Sequence, residues 1–284
     1  MRHIFIMNPA AGKGKAGKVF LPQIIEASKR LQIDYEIHRT IAPGDAAHFV
    51  KSRCESREAQ GESEETFRFY ACGGDGTLNE VANGAYGHQN AEIAMIPAGT
   101  GNDFPRNFTN RQYFEDIERQ ILGQPKWIDL IRYEAAPVDE LDEPLVRYGV
   151  NMFNIGLDCD AAEKVAQIKN YPFVPGPLAY GMGVAIVLGK KEGVNLEIKF
   201  DDGEIHSGDI MLIAIANGCY CGGGFKAVPK AIPDDGLIDV SIVGNITRRK
   251  FISLISKYKE GTHLDDPGTA DIITYKKCKS LTVK

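Results

Sequence analysis

The sequence predicts an α/β fold, a parallel-sheet domain followed by a β-rich second domain. Three observations carry this. As far as about Tyr133, strand-like apolar runs alternate with helix-like segments, the order of a parallel sheet with right-handed crossovers. Two glycine-rich turns, Gly73-Gly74-Asp75-Gly76-Thr77 and Pro97-Ala98-Gly99-Thr100-Gly101-Asn102-Asp103-Phe104, each follow such an apolar run. After the Pro- and acid-rich stretch Ala136 to Pro144, strand-like segments with turns between them dominate. The domains expected are residues 1–133 and residues 145–284.

In order, Arg2 to Asn8 reads as a strand and Ala16 to Leu31 as an amphipathic helix. Ile33 to Arg39 is a second strand and Pro43 to Glu58 a second helix. Gln60 to Thr66 is a polar, acidic surface loop. Phe67 to Cys72 leads into the first glycine turn, and a helix follows from about Thr77 to Tyr86. Ile93 to Ile96 leads into the second turn. Gln112 to Leu122 is a helix and Lys126 to Tyr133 a strand. In the second part, Arg147 to Ile155, Asn195 to Phe200, Ser207 to Ala216 and Leu237 to Val243 read as strands. Ala161 to Lys191 is helix-like though broken by prolines, and Phe251 to Glu260 is another helix.

Composition narrows the function classes. The 284 residues are 43% hydrophobic and 25% charged, ordinary for a soluble globular protein. A net charge of −5 argues against a general nucleic-acid binder. Basic residues cluster at Lys13, Lys15 and Lys18, at Arg248-Arg249-Lys250, and at Lys276, Lys277, Lys279 and Lys284. These read as solvated faces or, more sharply, as phosphate contacts for the first cluster and an anionic membrane surface for the others. The six cysteines are scattered without zinc spacing, so a reducing cytoplasm is expected. No signal peptide is evident, and the apolar stretches are too short to span a bilayer. The histidines have no evident triad or metal partners.

The two turns point to a phosphate site. Glycines let the backbone approach a ligand, and consecutive N–H groups in such turns form an anion-binding concavity. The first turn also opens a helix, whose N-terminus favours phosphate. Its plain reading is a capping turn with Thr77 as N-cap and Glu80 completing a capping box. The loop Gly12-Lys13-Gly14-Lys15-Ala16-Gly17-Lys18-Val19 follows the Walker A spacing until its last position, where Val19 replaces the Mg²⁺-holding hydroxyl. The better reading has Asn8 and the Gly12–Gly14 loop lining one edge of a nucleotide site.

Asn8-Pro9 with the glycine loop, G-G-D-G-T-L-N-E-V and P-A-G-T-G-N-D-F together resemble the diacylglycerol kinase catalytic-domain family, which includes bacterial lipid kinases and is related to sphingosine and ceramide kinases. The resemblance continues through Asn154-Ile155-Gly156-Leu157-Asp158, Asn217-Gly218, Gly222-Gly223-Gly224, Pro229-Lys230-Ala231 and Asp234-Asp235-Gly236-Leu237-Ile238-Asp239. It implies a nucleotide-binding α/β domain and a β-sandwich domain, as in NAD and diacylglycerol kinases, with the active site in the cleft between. It implies an ATP- and Mg²⁺-dependent transfer of the γ-phosphate to a lipid alcohol such as diacylglycerol. Gly73, Gly74 and Gly76 would bring backbone donors to the phosphates, with Leu78, Glu80 and Gly101 in the same two motifs. Thr77, Asn79, Thr100 and Asn102 would supply neutral hydrogen bonds. Asp75 would hold Mg²⁺ or orient the nucleotide. Thr40 matches an ATP contact of the family, or is the N-cap of the next helix. Asp235 matches a structural Mg²⁺ ligand, joined by the carbonyls of Ile232 and Leu237, or forms a tight turn.

The family's general base is an Asp in a D-G-E motif on a strand near the C-terminus. The ending Lys279 to Lys284 resembles the strand before it, so the base is expected beyond Lys284, the chain being truncated or having lost that strand. Asp202-Gly203-Glu204 carries the letters too early and reads as a hairpin turn. The expected setting is cytoplasmic, peripheral at the inner membrane face, with a homodimer left open. Two alternatives stand beside this one, an NAD kinase-like phosphotransferase and a non-catalytic nucleotide-binding regulator.

Overall fold

Successive side chains of a strand point to opposite faces. In β1 (Arg2–Met7) this sends Ile4 and Ile6 one way and Phe5 and Met7 the other, and all four are buried. Both faces therefore need a cover, and the computed structural model shows it. It describes all residues except Lys15 and residues 60–65, 138–143 and 158–192. The helix expected over Ala161 to Lys191 and most of the Gln60 to Thr66 loop lie outside the described residues. The chain divides into two units, Met1–Val150 and Asn151–Lys284.

In the first unit β1 is followed by α1 (Ala16–Leu31), β2 (Tyr35–Arg39), α2 (Asp45–Ala59), β3 (Phe67–Gly73), α3 (Asp75–Ala85) and β4 (Ala91–Pro97). The strands form one parallel sheet in the order β2-β1-β3-β4. Helices α2 and α3 cover one face, with Val50, Cys54, Val81 and Ala82 against Ile4, Ile6, Phe67 and Phe69. Helix α1 and α4 (Ile117–Leu122) cover the other, with Ile24, Ala27 and Ile121 against Phe5, Met7, Tyr70 and Ile96. All seven residues of β3 are buried, as expected of a central strand in a doubly covered sheet.

Two expectations for this unit change. The helix expected over Gln112 to Leu122 is split into a 3₁₀ turn, Arg111–Glu115, and α4. Asp116 takes extended dihedrals between them and caps α4, its carboxylate accepting the Arg119 N–H at 3.1 Å. The strand expected at Lys126 to Tyr133 starts later, as β5 (Ile131–Ala135). It does not extend the parallel sheet but forms an antiparallel pair with β6 (Leu145–Gly149).

The single strand expected over Arg147 to Ile155 is also divided. The Val150 N–H donates to Asn79 Oδ1 at 3.3 Å, while the Asn151 carbonyl accepts from the N–H groups of Asn217 and Gly218 at 2.8 and 3.0 Å. The chain therefore changes unit between Val150 and Asn151, and β7 (Met152–Gly156) belongs to the second sheet.

That sheet is antiparallel. It adds β8 (Val194–Phe200), β9 (Ile205–Ala216), β10 (Ile238–Gly244), β11 (Ile273–Cys278) and β12 (Leu281–Val283), in the order β11-β10-β9-β8-β12. The long β9 pairs with β8 over Ile205–Ile210 and with β7 over Leu212–Ala216, so the sheet forks along its length. Helix α5 (Arg248–Glu260) buries Phe251, Leu254 and Tyr258 on one face, and Leu196, Ile198, Val240 and Ile242 form the other. Asp201-Asp202-Gly203 turns β8 into β9, with Gly203 at φ 87° and its N–H on the Phe200 carbonyl. The Lys276 ammonium bridges the exposed Asp202 and Glu204 carboxylates. No helix among the described residues is long and apolar enough to cross a membrane.

Candidate functional site

The connection after β1 leads to α1 on one face of the parallel sheet, and the turn after the adjacent β3 leads to α3 on the other. This reversal is the topological switch point of an open α/β sheet, where ligands sit outside the carboxyl ends of the strands. Three connections meet there: Asn8 to Gly14 after β1, Gly73 to Thr77 after β3, and Ala98 to Asp103 after β4.

Their backbones are packed tightly. A Cβ on Gly99 would lie 2.6 Å from the Gly74 Cα, and one on Gly73 would lie 2.2 Å from Thr77 Oγ1. Glycine is therefore a steric requirement at both positions. The Ala98 N–H donates to the Gly73 carbonyl at 2.8 Å, which ties the two turns at their base. Gly12 and Gly14 have φ of 59° and 78°, with Lys13 between them at 57°, so the first connection is a left-handed coil. Its Gly12 faces the Ala98 carbonyl, 3.2 Å from where a Cβ would stand.

Side chains lock this frame. Asn8 Nδ2 donates to Thr77 Oγ1 at 3.1 Å, and Asn8 Oδ1 accepts from the Ala10 N–H at 2.9 Å. Asp75 Oδ1 accepts from the N–H groups of Asp103 and Phe104 at 2.9 and 3.1 Å, closing the second turn onto the first helix. Asn102, at φ 52°, exchanges two hydrogen bonds with the Gly99 backbone at 3.0 and 2.9 Å. Asn79 and Asn83, one helical turn apart on α3, hold β6. Asn79 takes the Val150 N–H, and Asn83 takes the Tyr148 N–H at 3.0 Å while donating to the Tyr148 carbonyl at 2.8 Å.

Three roles differ from the sequence reading. Helix α3 begins at Asp75 with Gly74 as a side-chain-free N-cap, so Thr77 does not cap it and no capping box forms. Thr77 is buried, and its hydroxyl serves Asn8. Thr40 lies ahead of α2, which starts at Asp45, so it is not that helix's N-cap; its N–H donates to the Met7 carbonyl at 3.0 Å. Leu78 is core, and its N–H closes onto the Gly74 carbonyl.

What stays uncovered is the open edge of the same frame. Gly76 is exposed and nothing lies within 4 Å of where its Cβ would be. Thr100 is exposed and Gly101 partly so, and neither Thr100 nor Glu80 makes a side-chain hydrogen bond among the described residues. The first N–H groups of α3 have no intrahelical acceptor and no side-chain cap. An uncapped helix N-terminus at a switch point is fitted to a phosphate.

The family profile described as the diacylglycerol kinase catalytic domain matches residues 2–133. The profile described as the YegS C-terminal NAD kinase beta sandwich-like domain matches residues 151–278. The first unit carries the diacylglycerol kinase catalytic domain. A similar curated protein named diacylglycerol kinase comes from Staphylococcus carnosus, 28% identical over 98% of this chain and 83% of that protein. Another is from Bacillus subtilis, 28% identical over 92% of this chain and 80% of that protein. The crystal structure of a diacylglycerol kinase from Bacillus anthracis shares the fold, with a TM-score of 0.66 and 23% identity, covering 100% of this chain and 85% of that one.

In the second unit Asp235 and Leu237, two of the three residues expected at a metal, meet in one turn. Asp235 Oδ1 accepts the Leu237 N–H at 3.1 Å, and its Oδ2 meets the Lys277 ammonium at 2.6 Å. Ile232 is exposed. Nothing in the sequence reading linked Lys277 to this turn.

Proposed function

We propose that this chain transfers the γ-phosphoryl group of ATP to the hydroxyl of a lipid alcohol such as diacylglycerol. The observation that carries the reading is the uncapped N-terminus of α3, set at the switch point between two glycine turns in van der Waals contact. The catalytic domain it carries and its similar relatives support a kinase and a lipid acceptor.

Phosphoryl transfer depends on positioning and on stabilising charge. The N–H groups at Gly76 and Thr77 and the Thr100 hydroxyl line the open edge and would hold the phosphates. Asn8, Thr77 and Asn102 act one step back, fixing the loops on which those donors sit. Mg²⁺ enters with the nucleotide as part of the substrate. Asp75 faces it with the carboxylate oxygen that accepts no hydrogen bond among the described residues, the other being spent on Asp103 and Phe104. Asp202 is not the base in this reading, since its carboxylate is held by Lys276 at a hairpin tip. The setting proposed is the cytoplasmic side of a membrane, reached peripherally.

The test is transfer of radiolabel from [γ-³²P]ATP into a mixed lipid extract, with NAD as the competing acceptor. Label in a lipid phosphate is the expected result. Label in NADP would favour the NAD kinase-like alternative, and ATP binding with no transfer to either acceptor would favour a regulator.

A further inference from the structure

The turn at Asp235 is where the resemblance implies a structural divalent ion, and the residues there do not fit one. The register of β10 and β11 places Asp239 directly opposite Lys277. Cross-strand partners on one face bring their side chains together. Lys277 Nζ lies 3.4 Å from Asp239 Oδ2 and 2.6 Å from Asp235 Oδ2. The Asp239 side chain is fully buried, and its other oxygen accepts from the Tyr275 hydroxyl. Tyr275 pairs with Ser241 two residues along the same two strands, on the same face, so the register also sets that contact. Each Asp235 oxygen already has a partner, the Leu237 N–H on one and the ammonium on the other. A divalent ion added beside Lys277 would put three positive charges against two carboxylates.

We propose that Lys277 is the built-in cation of this turn, its ammonium joining Asp235 to Asp239 so that the second unit folds without a divalent metal ion there. A buried carboxylate left without its partner is strongly destabilising. Asp239 makes the ammonium a requirement of the fold.

The experiment is thermal melting of the nucleotide-free chain in EDTA and in millimolar MgCl₂. Wild type should melt at the same temperature in both. Lys277→Met should melt lower in EDTA by about 5 °C or more, while Lys277→Arg keeps most of the stability. Lys277→Met that folds only with Mg²⁺ present would count for the proposal, because the ion then replaces the lost charge. A wild-type melt that rises with Mg²⁺, with the rise lost in Asp235→Asn, would overturn it. So would Lys277→Met melting like wild type in EDTA. Should Lys277→Met give no folded protein in either buffer, the wild-type and Asp235→Asn pair decides. The readout is independent of phosphoryl transfer, so failure here leaves the kinase reading untouched.

Discussion

The glycine turns of the first unit and the Asp235 turn of the second solve opposite problems. At the switch point the frame is closed behind and open in front. Gly74 and Gly99 are in steric contact, Gly73 lies against Thr77, Asp75 and Asn102 tie the loops, and Gly76 and Thr100 are left exposed. At Asp235 the turn is filled from within by Lys277, and each carboxylate oxygen has a partner. A turn built of backbone and glycine keeps its N–H groups for a ligand; a turn built on an ion pair keeps its charge for the fold. Both had looked like ligand sites in the sequence.

The sharpest way to break this comparison is to add one methyl group on each side of the first frame. Gly99→Ala drives a Cβ into the Gly74 backbone and should cost the first unit about 3 kcal/mol, read by chemical denaturation. Gly76→Ala meets no atom in a helical position, so stability should hold or rise by up to about 1 kcal/mol. Yet the same methyl should weaken ATP binding at least tenfold by calorimetry. Equal stability losses in the two variants would erase the distinction between frame and open edge.

Asp75 stands on both sides of that distinction, and its substitution sharpens it. Asp75→Asn keeps an oxygen toward the Asp103 and Phe104 N–H groups but gives up the charge in both bonds. We expect a loss of about 1 kcal/mol together with a severe loss of Mg·ATP use. The two hydrogen bonds are the reason for the stability loss. Unaltered nucleotide affinity in this variant would reduce Asp75 to a loop tie.

A smaller effect separates the units by pH. His263 is fully buried in the second unit, its Nε2 3.1 Å from the Ala227 carbonyl, and burial holds its pKa below the ordinary 6.5. His3 in the first unit, 2.7 Å from the Tyr70 hydroxyl, is lowered by burial and by Arg68. Below pH 6.5 the unfolded chain binds protons that the folded chain refuses, so stability is full above that value and falls as the pH drops. Each histidine contributes at most about 1.4 kcal/mol per pH unit. Melting between about pH 6.5 and 5.5 should therefore decline, and His263→Gln should flatten only the share that belongs to the second unit. A slope that His263→Gln leaves unchanged would assign the pH response elsewhere.

Much of the first unit was legible because hydrophobic periodicity is local. Helix α1 runs over Ala16–Leu31 as its apolar spacing implied, and β3 and β4 end where the glycines begin. The hairpin at Asp202 was equally readable, since a turn needs only its own residues. The fifth strand was not. Lys126 to Tyr133 has strand-like residues, but nothing within it says whether its partner is β4 or β6.

The sequence alone therefore determined the order of elements as far as β4, the position of both glycine turns at strand ends, and the family to which they point. Only the tertiary structure decided what each polar side chain does. Asp75 meets the second turn 28 residues away, Asn83 meets β6 65 residues away, and Asp235 meets Lys277 42 residues away. A hydrogen bond or ion pair forms wherever the folded path brings a donor to an acceptor. That path is set by sheet order and register, which no local pattern of residues encodes.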